Sequence, residues 1–201
     1  MAANSGLEIR VKTESAKKVL ELAREKGALL HGEFTLASGK KSSYYFDAKK
    51  LTLSPEGAYW VAKTMFDELV KIGVDAVGGV PVGAYPIVAA IALLSYQEGK
   101  PIPSFIVREE AKEHGTKRKI EGHLKEGFRV AIVEDVVTTG GSVSKVIEAV
   151  EAVNCKVVQV IALVDRHEGG SDRLKKEGYD FTAILHLWPS GEASIGESSA
   201  P

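Results

Sequence analysis

Two adjacent carboxylates, Glu134 and Asp135, close the apolar run Val130-Ala131-Ile132-Val133. Val136, Val137, Thr138, Thr139, Gly140, Gly141 and Ser142 follow them at once. Carboxylates at the end of an otherwise buried strand are costly unless something pairs with them or bonds to them. A sugar with two free hydroxyls supplies such partners, and a cation can share them. The Thr/Gly/Ser turn opens a helix, and its backbone N–H groups and hydroxyls offer a ready seat for a phosphate. No lysine follows the glycines, so this is not a Walker loop, and the G-x-G-x-x-G dinucleotide turn is also absent. Taken alone, the turn reads equally well as a plain strand–turn–helix capped by Thr and Ser. The acids tip the balance: acids for a sugar beside amides for its phosphate describe a ribose 5-phosphate site.

Three further segments carry chemistry-bearing residues. Arg108 to Gly122 is densely charged between two apolar strands and includes Lys112, His114, Lys117, Arg118 and Lys119. Charge runs are usually solvated loops, but this one is long for a plain connection, and such loops are often lids. The stretch Gly32 to Asp47 reads as a hairpin, with Phe34 on one arm and Tyr44, Tyr45 and Phe46 on the other. On their own those aromatics read more readily as core. Arg166 follows the apolar run ending at Val164. A lone arginine there is ordinarily a surface residue, although its planar fork suits a carboxylate because it bonds both oxygens.

Together these segments resemble type I phosphoribosyltransferases, and within them the orotate branch. The 130–142 segment is similar to the family's phosphoribosyl pyrophosphate signature. The Lys112-x-His114-Gly115 spacing is similar to the orotate branch's mobile loop, and Phe34-Thr35-Leu36-x-Ser38-Gly39 with its paired aromatics to that branch's hairpin. The resemblance implies transfer of a 5-phosphoribosyl group from phosphoribosyl pyrophosphate to orotate, with Mg2+ acting mainly through the substrate. It gives Arg108, Lys112, His114 and the residues from Glu134 to Ser142 to phosphoribosyl pyrophosphate. It gives Tyr45, Phe46, Thr138 and Arg166 to orotate, with Lys112, His114 and Asp135 closest to the chemistry. It also implies a homodimer whose charged loop closes over the neighbouring active site. Ala37, Gly83 and Glu109 stand where members often carry lysine, and Lys40, Lys41, Lys117, Arg118 and Lys119 are the cations at hand to compensate. Two alternatives have discriminating features. A phosphoribosyltransferase for another base would share the 134–142 turn but not the hairpin and Arg166. A non-catalytic sensor of phosphoribosyl pyrophosphate would keep the turn and could dispense with Lys112 and His114.

The elements that must hold these residues alternate along the chain. A helix is expected over Thr13–Lys26, then two β segments, Gly32–Ala37 and Tyr44–Leu51. Ser54-Pro55 has the N-cap and first-turn pattern of a helix running to about Ile72. Strands are expected at Ala76–Val80, Ser104–Arg108, Arg129–Val136, Lys156–Val164 and Phe181–Leu187. Helices are expected at about Tyr85–Tyr96, Gly140–Asn154 and Ser171–Gly178. Continuous apolar strands alternating with helices mean an α/β fold, a mostly parallel sheet flanked by helices, with a small N-terminal hood of helix and hairpin. Ligands of such a sheet sit beyond the carboxyl ends of its strands, where the segments above fall. One domain over 1–201 is expected, with 1–12 and 190–201 as flexible tails. A formal net charge of −1 disfavours a protein that holds nucleic acid by bulk electrostatics. The single cysteine, Cys155, rules out an internal disulfide and a cysteine-based zinc site. With no apolar run long enough to span a bilayer, membrane residence is not expected and the cytoplasm is the default.

Overall fold

The computed structural model describes residues 5–35, 41–108 and 119–196. Its body is a seven-stranded sheet in the order β5-β4-β3-β6-β7-β8-β9. These strands are β3 (Ala76–Gly79), β4 (Ser104–Val107), β5 (Ile120–Gly122), β6 (Arg129–Val137), β7 (Lys156–Asp165), β8 (Phe181–Leu187) and β9 (Ala193–Ile195). The five central strands run parallel, while β5 and β9 pair antiparallel at the two edges. A separate hairpin of β1 (Leu29–Thr35) and β2 (Lys41–Phe46) forms the hood.

Each face of the sheet buries its own apolar layer, because successive strand residues point to opposite sides. Along β6, Ala131 and Val133 join the layer under α1 (Ser5–Glu25), α3 (Pro55–Ile72) and α4 (Tyr85–Gln97). Val130 and Ile132 join the layer under α5 (Gly141–Glu151) and α6 (Gly170–Lys176). On α5 the residues Val143, Val146, Ile147 and Val150 repeat at helical spacing and are all buried. Each such side chain contributes about 1.5–3 kcal/mol on burial, so α5, and with it the turn that opens it, is pinned to the sheet. Ser54 caps α3 as its sequence implies, its hydroxyl accepting the Gly57 N–H at 3.1 Å with Pro55 in the first turn. Cys155 is buried and unbridged.

The structure corrects four boundaries. The first dozen residues are not a frayed tail throughout, since α1 already begins at Ser5. The β segment expected over Tyr44–Leu51 ends at Phe46; Asp47 then accepts the Lys49 N–H and starts the short helix α2 (Ala48–Thr52). The tail from Ser190 is not wholly loose, because β9 pairs with β8 and Trp188 donates its indole N–H to Ser194 Oγ at 3.0 Å. The charged connection is also shorter than its sequence suggests, since β5 takes up Ile120–Gly122.

Candidate active site

Beyond the carboxyl ends of the parallel strands lie the turns after β3, β4, β6 and β7. Glu134 and Asp135 lie in the carboxyl-terminal half of β6, which ends at Val137. The Asp135 N–H donates to Glu134 Oε1 and the Val136 N–H to Asp135 Oδ1, both at 2.9 Å. Glu134 is 5% exposed. Burial, and then the neighbouring Asp135 carboxylate, push its carboxyl up to about 10, against a smaller lowering by the Asp135 N–H. Both effects favour the protonated form of Glu134 at neutral pH. Asp135 is half-buried and faces the loop between β3 and α4. A Cβ at Gly83 would sit 2.0 Å from its Oδ2, so that loop approaches the acid as bare backbone.

The turn after the acids is braced from behind. Val137 O accepts the Arg166 N–H at 3.0 Å and Thr138 O accepts the Gly170 N–H at 2.9 Å. A Cβ at Gly170 would meet Thr138 O at 2.5 Å and Gly140 N at 2.7 Å. Gly140 is buried beneath the turn, Thr138 and Gly141 are half-buried, and Thr139 and Ser142 are exposed. Gly141 begins α5, so the free N–H groups of its first turn open where the strand ends.

Arg166 is buried (9% exposed), not a surface arginine. Its guanidinium carbon lies 5.3 Å from the centre of the Tyr44 ring, and Nη2 is 3.1 Å from Glu168. Its Nε is buried without a hydrogen bond among the described residues. Of the hood aromatics, Tyr44 is the one brought to Arg166. Strand alternation puts Phe46 in the core beside Tyr44, while Tyr45 faces outward, tilted against Phe34 with ring centres 5.6 Å apart. Arg108 immediately follows β4, with Nη1 3.3 Å from Glu121 and a buried Nε unpartnered among the described residues. It lines a cleft of about 340 Å3 together with Val80, Pro81, Lys119, Ser142 and Lys145. Lys112 and His114 lie outside the described residues, as do Ala37, Lys40 and Glu109.

One cluster is invisible in the linear sequence. Asp165, 1% exposed, accepts the His167 backbone N–H at 2.9 Å, and its Oδ2 is 3.7 Å from His167 Nδ1. His167 Nε2 meets His186 Nδ1 at 3.0 Å, and the His167 ring stacks on Trp188 at 3.7 Å. These groups lie close enough for a metal ion, but His167 Nε2 is within hydrogen-bond distance of His186, while its Nδ1 faces Asp165 at 3.7 Å, beyond a hydrogen bond. Pairing of β7 with β8 sets Asp165 opposite His186. Only that pairing brings residues so far apart in sequence together.

The phosphoribosyl transferase domain family matches residues 56–191. Orotate phosphoribosyltransferase of Aquifex aeolicus (strain VF5) is 46% identical over 154 residues, spanning 77% of this chain and 84% of the relative. The chain belongs to the orotate phosphoribosyltransferase family. Solved structures agree. Orotate phosphoribosyltransferase of Mycobacterium tuberculosis H37Rv superposes with a TM-score of 0.73 at 35% identity, over 88% of this chain and 96% of that one. A structure of the same mycobacterial enzyme in complex with 5-phospho-α-D-ribosyl 1-diphosphate gives a TM-score of 0.68 at 31% identity, over 88% and 96% of the two chains. As an orotate phosphoribosyltransferase family member, the chain is a pentosyl-transferring enzyme with the parallel-sheet fold of its type I relatives. Among the described residues, no helix is long and apolar enough to cross a membrane.

Proposed function

We infer that this chain transfers the 5-phosphoribosyl group of phosphoribosyl pyrophosphate to orotate, releasing pyrophosphate and orotidine 5′-phosphate, a step of pyrimidine nucleotide synthesis. The observation that carries the reading is the arrangement along the strand ends. The phosphate turn and acid pair follow β6, and a buried arginine follows the neighbouring β7. That order matches a substrate with a 5-phosphate, a ribose and an anionic base.

In this reading the backbone N–H groups from Thr138 to Ser142 take the 5-phosphate, and Asp135 and Glu134 take the ribose hydroxyls. Arg166 bonds the orotate carboxylate, with Tyr44 beneath its guanidinium and Thr138 completing the base side, while Tyr45, turned outward, and Phe46, packed in the core, stand away from Arg166. Orotate N1 attacks C1′ of the ribose and the C1′–O bond to pyrophosphate breaks. The pair of electrons leaves with pyrophosphate, and the N1 proton is lost to solvent. Positive charge develops on the ribose meanwhile, and a carboxylate at Asp135 stabilises it without any reorganisation of water. Lys112, His114 and Arg108 are assigned to the departing pyrophosphate, the first two supplied across a homodimer.

The acid pair also fits Mg2+. Its hard carboxylate oxygens are the donors such a cation takes, and a cation would offset the burial and the Asp135 charge that raise the Glu134 carboxyl. Mg2+ carried in by the substrate would neutralise the pyrophosphate, with Asp135 and Glu134 the residues of this chain that would hold it. The test is to offer orotate, uracil, hypoxanthine and adenine in turn with phosphoribosyl pyrophosphate and Mg2+, and to follow pyrophosphate release. Release with orotate alone is the expected result. Release with another base and not with orotate overturns the reading.

A further inference from the structure

The cleft of about 340 Å3 beside the phosphate turn is lined by three cations, Arg108, Lys119 and Lys145, and it shares only Ser142 with the 5-phosphate turn and no residue with the ribose hydroxyls or the base. Arg108 immediately follows β4, Lys119 immediately precedes β5, and Lys145 stands in the second turn of α5. Three separate elements thus bring positive charge to one concavity. The acidic group beside them is Glu121, on Arg108 at 3.3 Å. Lys119 and Lys145 have no acidic partner among the described residues, and both are exposed. Cations gathered in a concave site without counter-charge repel one another unless an anion joins them.

The sheet order indicates which anion. Across the strand ends, Arg108 after β4 and Arg166 after β7 flank the acids of β6, with the β3 loop between β4 and β6. A displacement at C1′ requires the incoming base and the departing group on opposite faces of the ribose. With the base at Arg166, the departing diphosphate falls on the side of Arg108. The β3–α4 loop on that side supplies no cation in this chain, since Gly83 sets bare backbone against the Asp135 carboxylate and its neighbours Val80, Pro81, Val82 and Ala84 are apolar. Positive charge must come from the cleft's other walls.

We propose that Lys119 and Lys145 are diphosphate-binding residues, which with Arg108 hold the pyrophosphate end of the substrate and the pyrophosphate product. The proposal rests on the phosphoribosyl transfer reading above. Both lysines are exposed, so their removal leaves the core intact. Lys145→Ala and Lys119→Ala should each raise the KM for phosphoribosyl pyrophosphate and the inhibition constant of pyrophosphate by about tenfold, one charge-assisted contact's worth. The KM for orotate should stay within about twofold, and Lys145→Arg should recover most of the loss. The double variant should also show a weaker dependence of that KM on salt, since fewer charges are left to screen. Inorganic pyrophosphate with Mg2+, titrated by calorimetry, reads the site without turnover. Unchanged pyrophosphate binding in the folded double variant, with the wild type active, overturns the assignment of the lysines alone. A wild type that neither turns over phosphoribosyl pyrophosphate with any base nor binds pyrophosphate overturns the transfer reading, and this proposal with it.

Discussion

Arg166 is held by Tyr44 beneath it and Glu168 beside it, and it donates its backbone N–H to Val137 at the head of the phosphate turn. Its guanidinium is thus oriented before any ligand arrives. A charge-assisted bond contributes about 1.5–3 kcal/mol, so Arg166→Ala should weaken use of orotate by about tenfold to a few hundredfold. Use of phosphoribosyl pyrophosphate should change far less. Kinetics with each substrate varied in turn check this, and equal losses would mean that Arg166 supports the turn it bonds to and does not read the carboxylate. Asp135→Asn removes charge facing the ribose and should cut kcat by on the order of a hundredfold with unfolding unchanged. Near-normal turnover in that variant would remove Asp135 from the chemistry. Glu134 makes a prediction about pH. Its carboxyl is raised from 4.5 to about 10 on folding, so the folded state keeps a proton that the unfolded chain gives up. The associated stability is complete below about pH 4.5 and is lost as pH rises towards 10. Without ligand, Glu134→Gln should therefore melt at a higher temperature than the parent at pH 8 and at a similar one near pH 4.5, which thermal melts across that range will decide.

The phosphate turn is only as accurate as the segment behind it. Gly170 opens α6 directly under Thr138, Thr139 and Gly140, and the three atoms nearest a Cβ there are backbone atoms that cannot swing aside. Gly170→Ala should push the turn outward and lower kcat/KM for phosphoribosyl pyrophosphate by on the order of a hundredfold, as displacements near 1 Å do. The protein should remain folded by circular dichroism; an unchanged kcat/KM would mean that α6 does not set the turn. Much of this level was legible in the sequence. Ser54-Pro55 marked the start of α3, and the apolar run before Glu134 marked β6, because caps and periodicity are local signals. The edge strands were not legible. Ala193–Ile195 and Ile120–Gly122 are three residues each and exist only because a longer strand offers them hydrogen bonds. Asp47 likewise ended β2 early by capping a helix too short to show a period. At the site, Glu134, Asp135 and the turn could be read from one continuous segment. The Asp165–His167–His186 cluster and the seating of Tyr44 under Arg166 could not, since each depends on strand pairing or on how the hood docks.

At the scale of the whole molecule, the assignment of Lys112 to a neighbouring site has a direct test. Lys112→Ala and Asp135→Asn proteins, each nearly inactive, should recover up to about a quarter of wild-type activity per site when mixed, since a hybrid dimer holds one intact site. No recovery after confirmed subunit exchange would place Lys112 in its own chain's site. The sheet itself carries another consequence. A parallel sheet that stopped at β8 would present Phe181–Leu187 as an open row of backbone N–H and C=O groups, mostly apolar in sequence. Instead each margin is finished by a three-residue strand running the opposite way, with Trp188 tied to Ser194 across the last turn. So short a border gives a second molecule almost nothing to zip onto. The few residues after Trp188 thus act as a guard against amyloid-like stacking, and a chain trimmed there would owe its failure to self-association in the test tube and not to any loss at the catalytic centre.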